Sequence, residues 1–173
     1  MYRAGDPGKI YVVPDVWQQL ISRSIYDMAT LPKLPTLTAE QIKSVEIAGA
    51  EGTTPNKLSV RIVEQEEQWH SSNGLEDEKG SALSAALQAL AVDSCVDYAP
   101  SDGAAEICGL AQPRAAVTIT YVDSVQTEHI LALRLGNSCA GGCYVLLNED
   151  TTIYRLPQAV ADALLALTPT AAE

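Results

Sequence analysis

No stretch of this chain approaches the roughly 18–20 consecutive apolar residues that a membrane-crossing helix needs. Its first residues, Met1-Tyr2-Arg3-Ala4-Gly5-Asp6, lack the apolar core of a signal peptide. Positive charge is scarce as well: eleven Lys and Arg stand against twenty-two Asp and Glu, a net charge of -11. That balance repels a phosphate backbone and removes the attraction behind most non-specific nucleic-acid affinity. Nucleic acid is therefore excluded as an expected partner, and an anionic membrane surface is disfavoured on the same ground, whereas a neutral protein surface is not. There is no Cys-x-x-Cys pair of the metal-binding kind, and the two histidines, His70 and His129, stand in no motif that presents a nucleophile. No catalytic residues, metal ligands or cofactor are assigned from the sequence.

What is present is an alternation. The chain has 173 residues, 47% of them apolar, enough for one domain with a proper core. Val117, Ile119 and Tyr121 fall on one side of an extended segment and Thr118 and Thr120 on the other. Leu131, Leu133 and Leu135 alternate with Ile130, Ala132 and Arg134. Two further apolar runs, 143–147 and 152–156, flank the turn-forming Asn148-Glu149-Asp150-Thr151. Four strands in a meander are expected, closed by a helix from Pro157 that turns Val160, Leu164 and Leu167 inward. Upstream, 45–48 and 58–63 read as a hairpin around a loop over 49–56, with Trp69 on a following strand packed on the sheet.

The clearest helix spans 77–91, with Leu83, Ala86, Leu87 and Leu90 at i, i+3, i+4 and i+7. Ala82, Ala85, Ala86 and Ala89 are expected to let it pack closely on the sheet. Residues 93–109 read as a loop. Thr38-Ala39-Glu40-Gln41 has the form of a capping box and starts a single turn, and Pro32 and Pro35 keep the preceding connector from forming a helix.

The fold class is α+β: antiparallel meanders with helices on one face. A repeated strand-Pro-helix unit is also expected. Ile10-Tyr11-Val12-Val13-Pro14 is echoed by Ile153-Tyr154-Arg155-Leu156-Pro157, with Trp17 answering Val160 and Ile21 answering Leu164. This divides the chain into the end of a preceding unit over 1–24, a linker over 25–38, one complete domain over 39–168 and a tail over 169–173.

Four cysteines, Cys95, Cys108, Cys139 and Cys143, allow three disulfide pairings. Joining neighbours, Cys95 to Cys108 and Cys139 to Cys143, is favoured, since each pair brackets a Gly- or Pro-containing loop; four reduced thiols are the alternative. Cys139 and Cys143 with His129 also suggest a thiol redox or zinc site. A redox thiol needs a cationic setting, for which Arg134 is the only nearby candidate, and zinc lacks further ligands, so a structural staple is preferred. A calcium site at Glu64, Glu66 and Glu67 lacks the spaced Asp, Asn and Gly of a calcium loop. Trp69, Tyr98, Tyr144 and Tyr154 form a candidate interaction surface, against the alternative that strand aromatics simply pack.

The order of motifs carries a resemblance. Asp97-Tyr98-Ala99, Gly-Leu-x-x-Pro at Gly109 to Pro113, Leu135-Gly136, Cys143-Tyr144-Val145 and Ile153-Tyr154 follow a hairpin, a Trp strand and an Ala-rich helix. In this order they resemble the bacterial family called domain of unknown function 4340, over about residues 25–167. Cys108 replaces the aromatic residue usual there before Gly-Leu, and Cys139 and Cys143 are extra. The resemblance implies an extracytoplasmic module, membrane-anchored at full length through a segment absent from this sequence, associated with an ABC-type transporter or the cell envelope. It implies a protein partner and no established activity, and the address makes disulfides more expected. The leading expectation is therefore a noncatalytic interaction module. A thiol oxidoreductase using Cys139 and Cys143, or a solute-binding domain with a deep pocket lined by Tyr and Trp, are the alternatives.

Overall fold

An alternating strand exposes one apolar face, and the architecture follows from how those faces are covered. The computed structural model describes residues 14–22, 24, 26, 30–49, 54–63, 66–72 and 77–169. The chain forms two units, Met1–Thr30 and Leu31–Glu173. In the first, helix α1 (Asp15–Ile21) begins after Pro14, at φ -56° and ψ 147°. The strand expected over 9–13 lies outside the described residues. Pro157, which precedes the last helix, has φ -55° and ψ 144°. At both positions a proline with its fixed φ directly precedes the helix. The packing differs: Trp17 is 55% exposed, whereas its counterpart Val160 is buried.

The second unit holds β1 (Ile42–Ala48), β2 (Asn56–Val63), β3 (Glu66–Ser71), α2 (Asp77–Gln88), β4 (Ser94–Asp97), α3 (Ala104–Ile107), β5 (Ala115–Val122), β6 (Glu128–Cys139), β7 (Gly142–Leu147), β8 (Ile153–Pro157) and α4 (Gln158–Leu165). One eight-stranded sheet has the order β3-β2-β1-β5-β6-β7-β8-β4, and every neighbouring pair is antiparallel. The fold is α+β. The expected meander is β5 to β8, and a second meander, β3-β2-β1, joins it through the β1–β5 pair. Residues 93–109, expected to be loop, contain β4 and α3, and β4 returns to pair with β8 at the sheet edge. The loop expected between Cys139 and Cys143 is instead a tight hairpin, with Cys139 opposite Gly142.

The core lies on one face. Val117 and Ile119 stand opposite Leu133 and Leu131, and all four are buried. Leu83 and Leu87 of α2 and Val160, Ala161 and Leu164 of α4 are buried over them, and the two helices pack on each other. Burying one such side chain contributes about 1.5–3 kcal/mol, so this layer dominates the stability. The α2 stripe is Leu83, Ala86, Leu87 and Leu90, as the spacing requires, but Ala82, Ala85 and Ala89 face solvent; of the alanines expected against the sheet only Ala86 is buried there. Asn56, the one buried polar side chain among the described residues, donates to the Leu167 carbonyl (3.2 Å) and accepts from Ser71 Oγ (2.6 Å), tying the β2–β3 hairpin to the end of α4. Gln41 Oε1 accepts from the Thr38 backbone N–H at 3.2 Å and closes the single turn before β1.

Leu87→Ala is expected to lower the unfolding free energy by about 2–5 kcal/mol, because it leaves a cavity between α2 and the sheet. Ala85→Leu, on the solvent side, should change it by less than about 0.5 kcal/mol. Urea unfolding of both variants checks this, and equal losses would contradict the assigned face.

Candidate functional site

The other face of the sheet is only partly covered. Register places Glu46, Thr118 and Ala132 in one row, and Ala116, Arg134 and Leu146 in the next, on the side away from α2 and α4. Thr118 and Arg134 are exposed there. Towards β7, β8 and β4 this face becomes apolar, and Leu146, Ile153 and Leu110 form a buried cluster flanked by Val96, Ala104, Cys108 and Tyr144. Leu110 enters from the segment 98–111, which lies over that end of the sheet.

The entry is built from backbone. Helix α3 ends with Gly109 at φ 69°, a left-handed conformation that glycine adopts without side-chain strain. The Leu110 N–H bonds the Ala105 carbonyl (2.6 Å) and the Gly109 N–H bonds the Glu106 carbonyl (3.0 Å), the two bonds of a Schellman ending. The next carbonyls go to Asn137: its Nδ2 donates to Ile107 O at 3.1 Å and its backbone N–H to Cys108 O at 2.7 Å. Both glycines of the family-like motifs sit at this junction. A Cβ on Gly109 would lie 2.5 Å from Asn137 Oδ1, and one on Gly136 only 2.2 Å from the Cys108 carbonyl oxygen.

Between this segment, the sheet and the β7–β8 turn lies a cleft of about 570 Å³. Its floor is Leu110, Leu146 and Ile153; Arg134 rises from β6, Asp102 comes from the approach to α3, and Glu149 and Asp150 come from the turn. The volume falls within the range of small-ligand sites. Among the described residues the Arg134 guanidinium has no hydrogen bond or ion pair. Asp150, by contrast, is fixed: it accepts from the Thr152 N–H (2.9 Å) and the Tyr154 hydroxyl (3.0 Å). These bonds, the Thr152 N–H foremost, hold its carboxyl below the ordinary value, while burial and then Asp150 push the Tyr154 hydroxyl up. Asn148, at φ 51°, anchors the turn through reciprocal bonds with Ala132, 2.8 Å from its N–H and 2.9 Å to its Oδ1.

The four cysteines are free thiols. Register shows why neither neighbour pairing fits. Cys95 pairs with Tyr154 and so shares the face of Val145, under α4, whereas Cys108 packs with Leu110 on the opposite face. Cys139 stands opposite Gly142 and Cys143 opposite Ser138, which again points the two side chains to opposite faces. A disulfide needs Cβ atoms that approach each other, so the loop staples expected from spacing would have to pass through the sheet. Burial raises all four thiols above their ordinary value; Arg155 acts the other way on Cys139, as does Arg114 on Cys143, without reversing the direction. Arg134, the cation expected near Cys139 and Cys143, instead lines the cleft.

The expected aromatic surface is not one surface. Trp69 lies on the edge strand β3, donates to Ser84 Oγ at 2.8 Å and packs under Gly80 of α2. Tyr154 is buried on the core face, Tyr144 packs beside the cleft floor, and Tyr98 is exposed at the start of the cleft wall. His129 Nε2 lies 3.0 Å from Asp123 Oδ2 and its ring stacks on Tyr121, but Asp123 also accepts from the Val125 and Thr127 N–H groups, so the pair closes the β5–β6 turn. Among the described residues no three or more His, Cys, Asp or Glu are placed to hold a metal, and no helix is long and apolar enough to cross a membrane. Glu64 and the side chains of Glu66 and Glu67 lie outside the described residues.

No family model, curated protein or solved structure matches the chain. The cleft residues Asp102, Arg134, Glu149 and Asp150 were not singled out as a site by the sequence; the only signal was Arg134, a charge at an outward position of β6.

Gly136→Ala is expected to push the Cys108 carbonyl off Asn137, costing about 1–3 kcal/mol by the scale of overpacking. Faster amide exchange at Asn137 and Leu110, with α2 unaffected, is the readout. Asp150 gives a pH prediction. Its folded value lies below the ordinary 3.8, so its contribution is present above that value and is lost as pH falls through the folded one. Asp150→Asn should flatten the acid limb of the stability curve, and a variant whose acid limb matches the wild type would contradict the bonds assigned to this carboxylate.

Proposed function

We propose that this chain is a noncatalytic interaction module whose binding site is the cleft between the 98–111 segment and the sheet. The observation that carries this reading is a concave site of about 570 Å³ with an apolar floor and a guanidinium that has no partner among the described residues. Pockets of this make-up hold ligands by apolar contact and take their orientation from a few polar groups. On the resemblance to domain of unknown function 4340, the module serves at an extracytoplasmic address, bound to a protein partner that belongs to an ABC-type transporter or the envelope.

Two alternatives are less well supported. A thiol oxidoreductase needs a thiolate of lowered pKa and a partner thiol within reach, whereas Cys139 and Cys143 are raised and point to opposite faces. A solute-binding domain of the expected kind needs a Tyr- and Trp-lined pocket, and the cleft lining contains neither residue type.

The test is a fragment titration of the isotope-labelled protein followed by backbone NMR. Small apolar fragments should move amides of 99–111, 146 and 149–153 together; shifts scattered over the surface, or none, would end the cleft reading. Titration with Ellman's reagent should find the thiols slow in the native state and fast after denaturation. A pair that reacts at once under native conditions would restore the oxidoreductase.

A further inference from the structure

We infer that the cleft takes the free C-terminal end of a basic, apolar peptide, with Arg134 receiving the terminal carboxylate. This rests on the reading of the cleft as the binding site. Three observations lead to it. The first is Arg134 itself. Its outward position on β6, between Ala116 and Leu146 in the cross-strand row, puts a fixed positive charge at the edge of an apolar floor, and among the described residues no carboxylate engages it. A guanidinium presents parallel N–H donors matched to the two oxygens of a carboxylate.

The second is the sign of the surroundings. Asp102, Glu149 and Asp150 line the same cleft, and the hydrogen bonds to Asp150 favour its ionised form. The whole chain carries -11. A purely anionic ligand would be repelled on approach, and a purely cationic one would leave Arg134 uncompensated. A ligand that satisfies both has one carboxylate and, a short distance away, positive charge. A peptide ending in a free carboxylate and carrying lysine or arginine within its last few residues has that pattern, and the long-range field of the acidic protein would speed its arrival.

The third is the floor. Leu110, Leu146 and Ile153, themselves almost fully buried, line the cleft together with Arg134 and the acidic turn. An apolar side chain at the peptide end would itself be buried against them, adding to the charge contacts. The peptide therefore reads as an apolar final residue preceded by basic ones, the kind of tail a partner protein could offer.

The experiment uses the 173-residue chain and two synthetic peptides, acetyl-Lys-Lys-Ala-Leu with a free carboxylate and the same peptide amidated. Titration by NMR and calorimetry should show the free acid moving the amides of Leu110, Arg134 and Ile153. It should bind about ten-fold or more tightly than the amide, the scale expected for a charge-assisted hydrogen bond. Arg134→Gln should erase the difference between the two peptides. Glu149→Gln should weaken both, and raising the salt concentration should do the same. Arg134 is exposed, so its variant should unfold at the wild-type temperature, and a thermal melt verifies that the fold is intact. Equal affinity for acid and amide, or an Arg134→Gln protein that still prefers the acid, would overturn the inference. If neither peptide binds while the fragments still map to the cleft, the inference fails and the cleft reading stands. If fragments and peptides both leave the cleft amides unmoved, both fail.

Discussion

One hydrogen bond holds the second layer of this protein in place: the Asn137 N–H to the Cys108 carbonyl, 2.7 Å across the junction between α3 and β6. A four-residue helix has too few internal bonds to persist alone, and nearly all its polar backbone groups are end groups. Here the end groups are consumed. The Schellman bonds at Gly109 and Leu110 take two carbonyls, and Asn137 takes those of Ile107 and Cys108. The approach is closer than any Cβ at Gly136 would permit. Once it is made, Leu110 is delivered into the Leu146–Ile153 cluster, and the segment becomes a wall. The cleft is the space left between that wall and the sheet face beneath it.

The asymmetry of the sheet explains where a ligand site can form. On one face, α2 and α4 cover a layer of buried apolar side chains. On the other, the rows Glu46-Thr118-Ala132 and Ala116-Arg134-Leu146 run from polar to apolar across the strands. The short α3 segment covers the apolar end only. A concave boundary with oil on one side and charge on the other follows from that partial covering.

The parts of this fold that could be read from the sequence were those with a period. Leu131, Leu133 and Leu135, or Leu83, Leu87 and Leu90, repeat often enough to identify both the element and its buried face. β4 and α3 have four residues each, too short to show a period, and the Pro, Gly, Ser and Asp around them read as loop. The cleft was hidden for a different reason. Asp102, Arg134 and Asp150 come together only through the pairing of β6, β7 and β8 and the fold-over of 98–111, which is tertiary information. The neighbour pairing of the cysteines met the same gap, because nearness along the chain does not specify a face. A pairing register settles it at once: Cys139 opposite Gly142 and Cys143 opposite Ser138 are one residue out of phase, and in a strand one residue is the width of the sheet.

Gly109 and Gly136 have a physical role at this junction. Each stands where a side chain would collide with the partner segment, Gly109 against Asn137 and Gly136 against Cys108. The cysteines take the complementary part. Cys95 and Cys143 are buried on the core face, and Cys108 packs beside the cleft floor, where a small apolar side chain fits and an ionised one would not. Burial raises their pKa and so keeps them in the neutral thiol form that packs well. The environment that suits a thiol to filling space withholds the thiolate that chemistry would need. The polar groups left with capacity for new partners therefore lie outside the two apolar layers, and Arg134, at the margin of the second, is a charge that the described residues leave without an ion-pair partner beside an apolar floor.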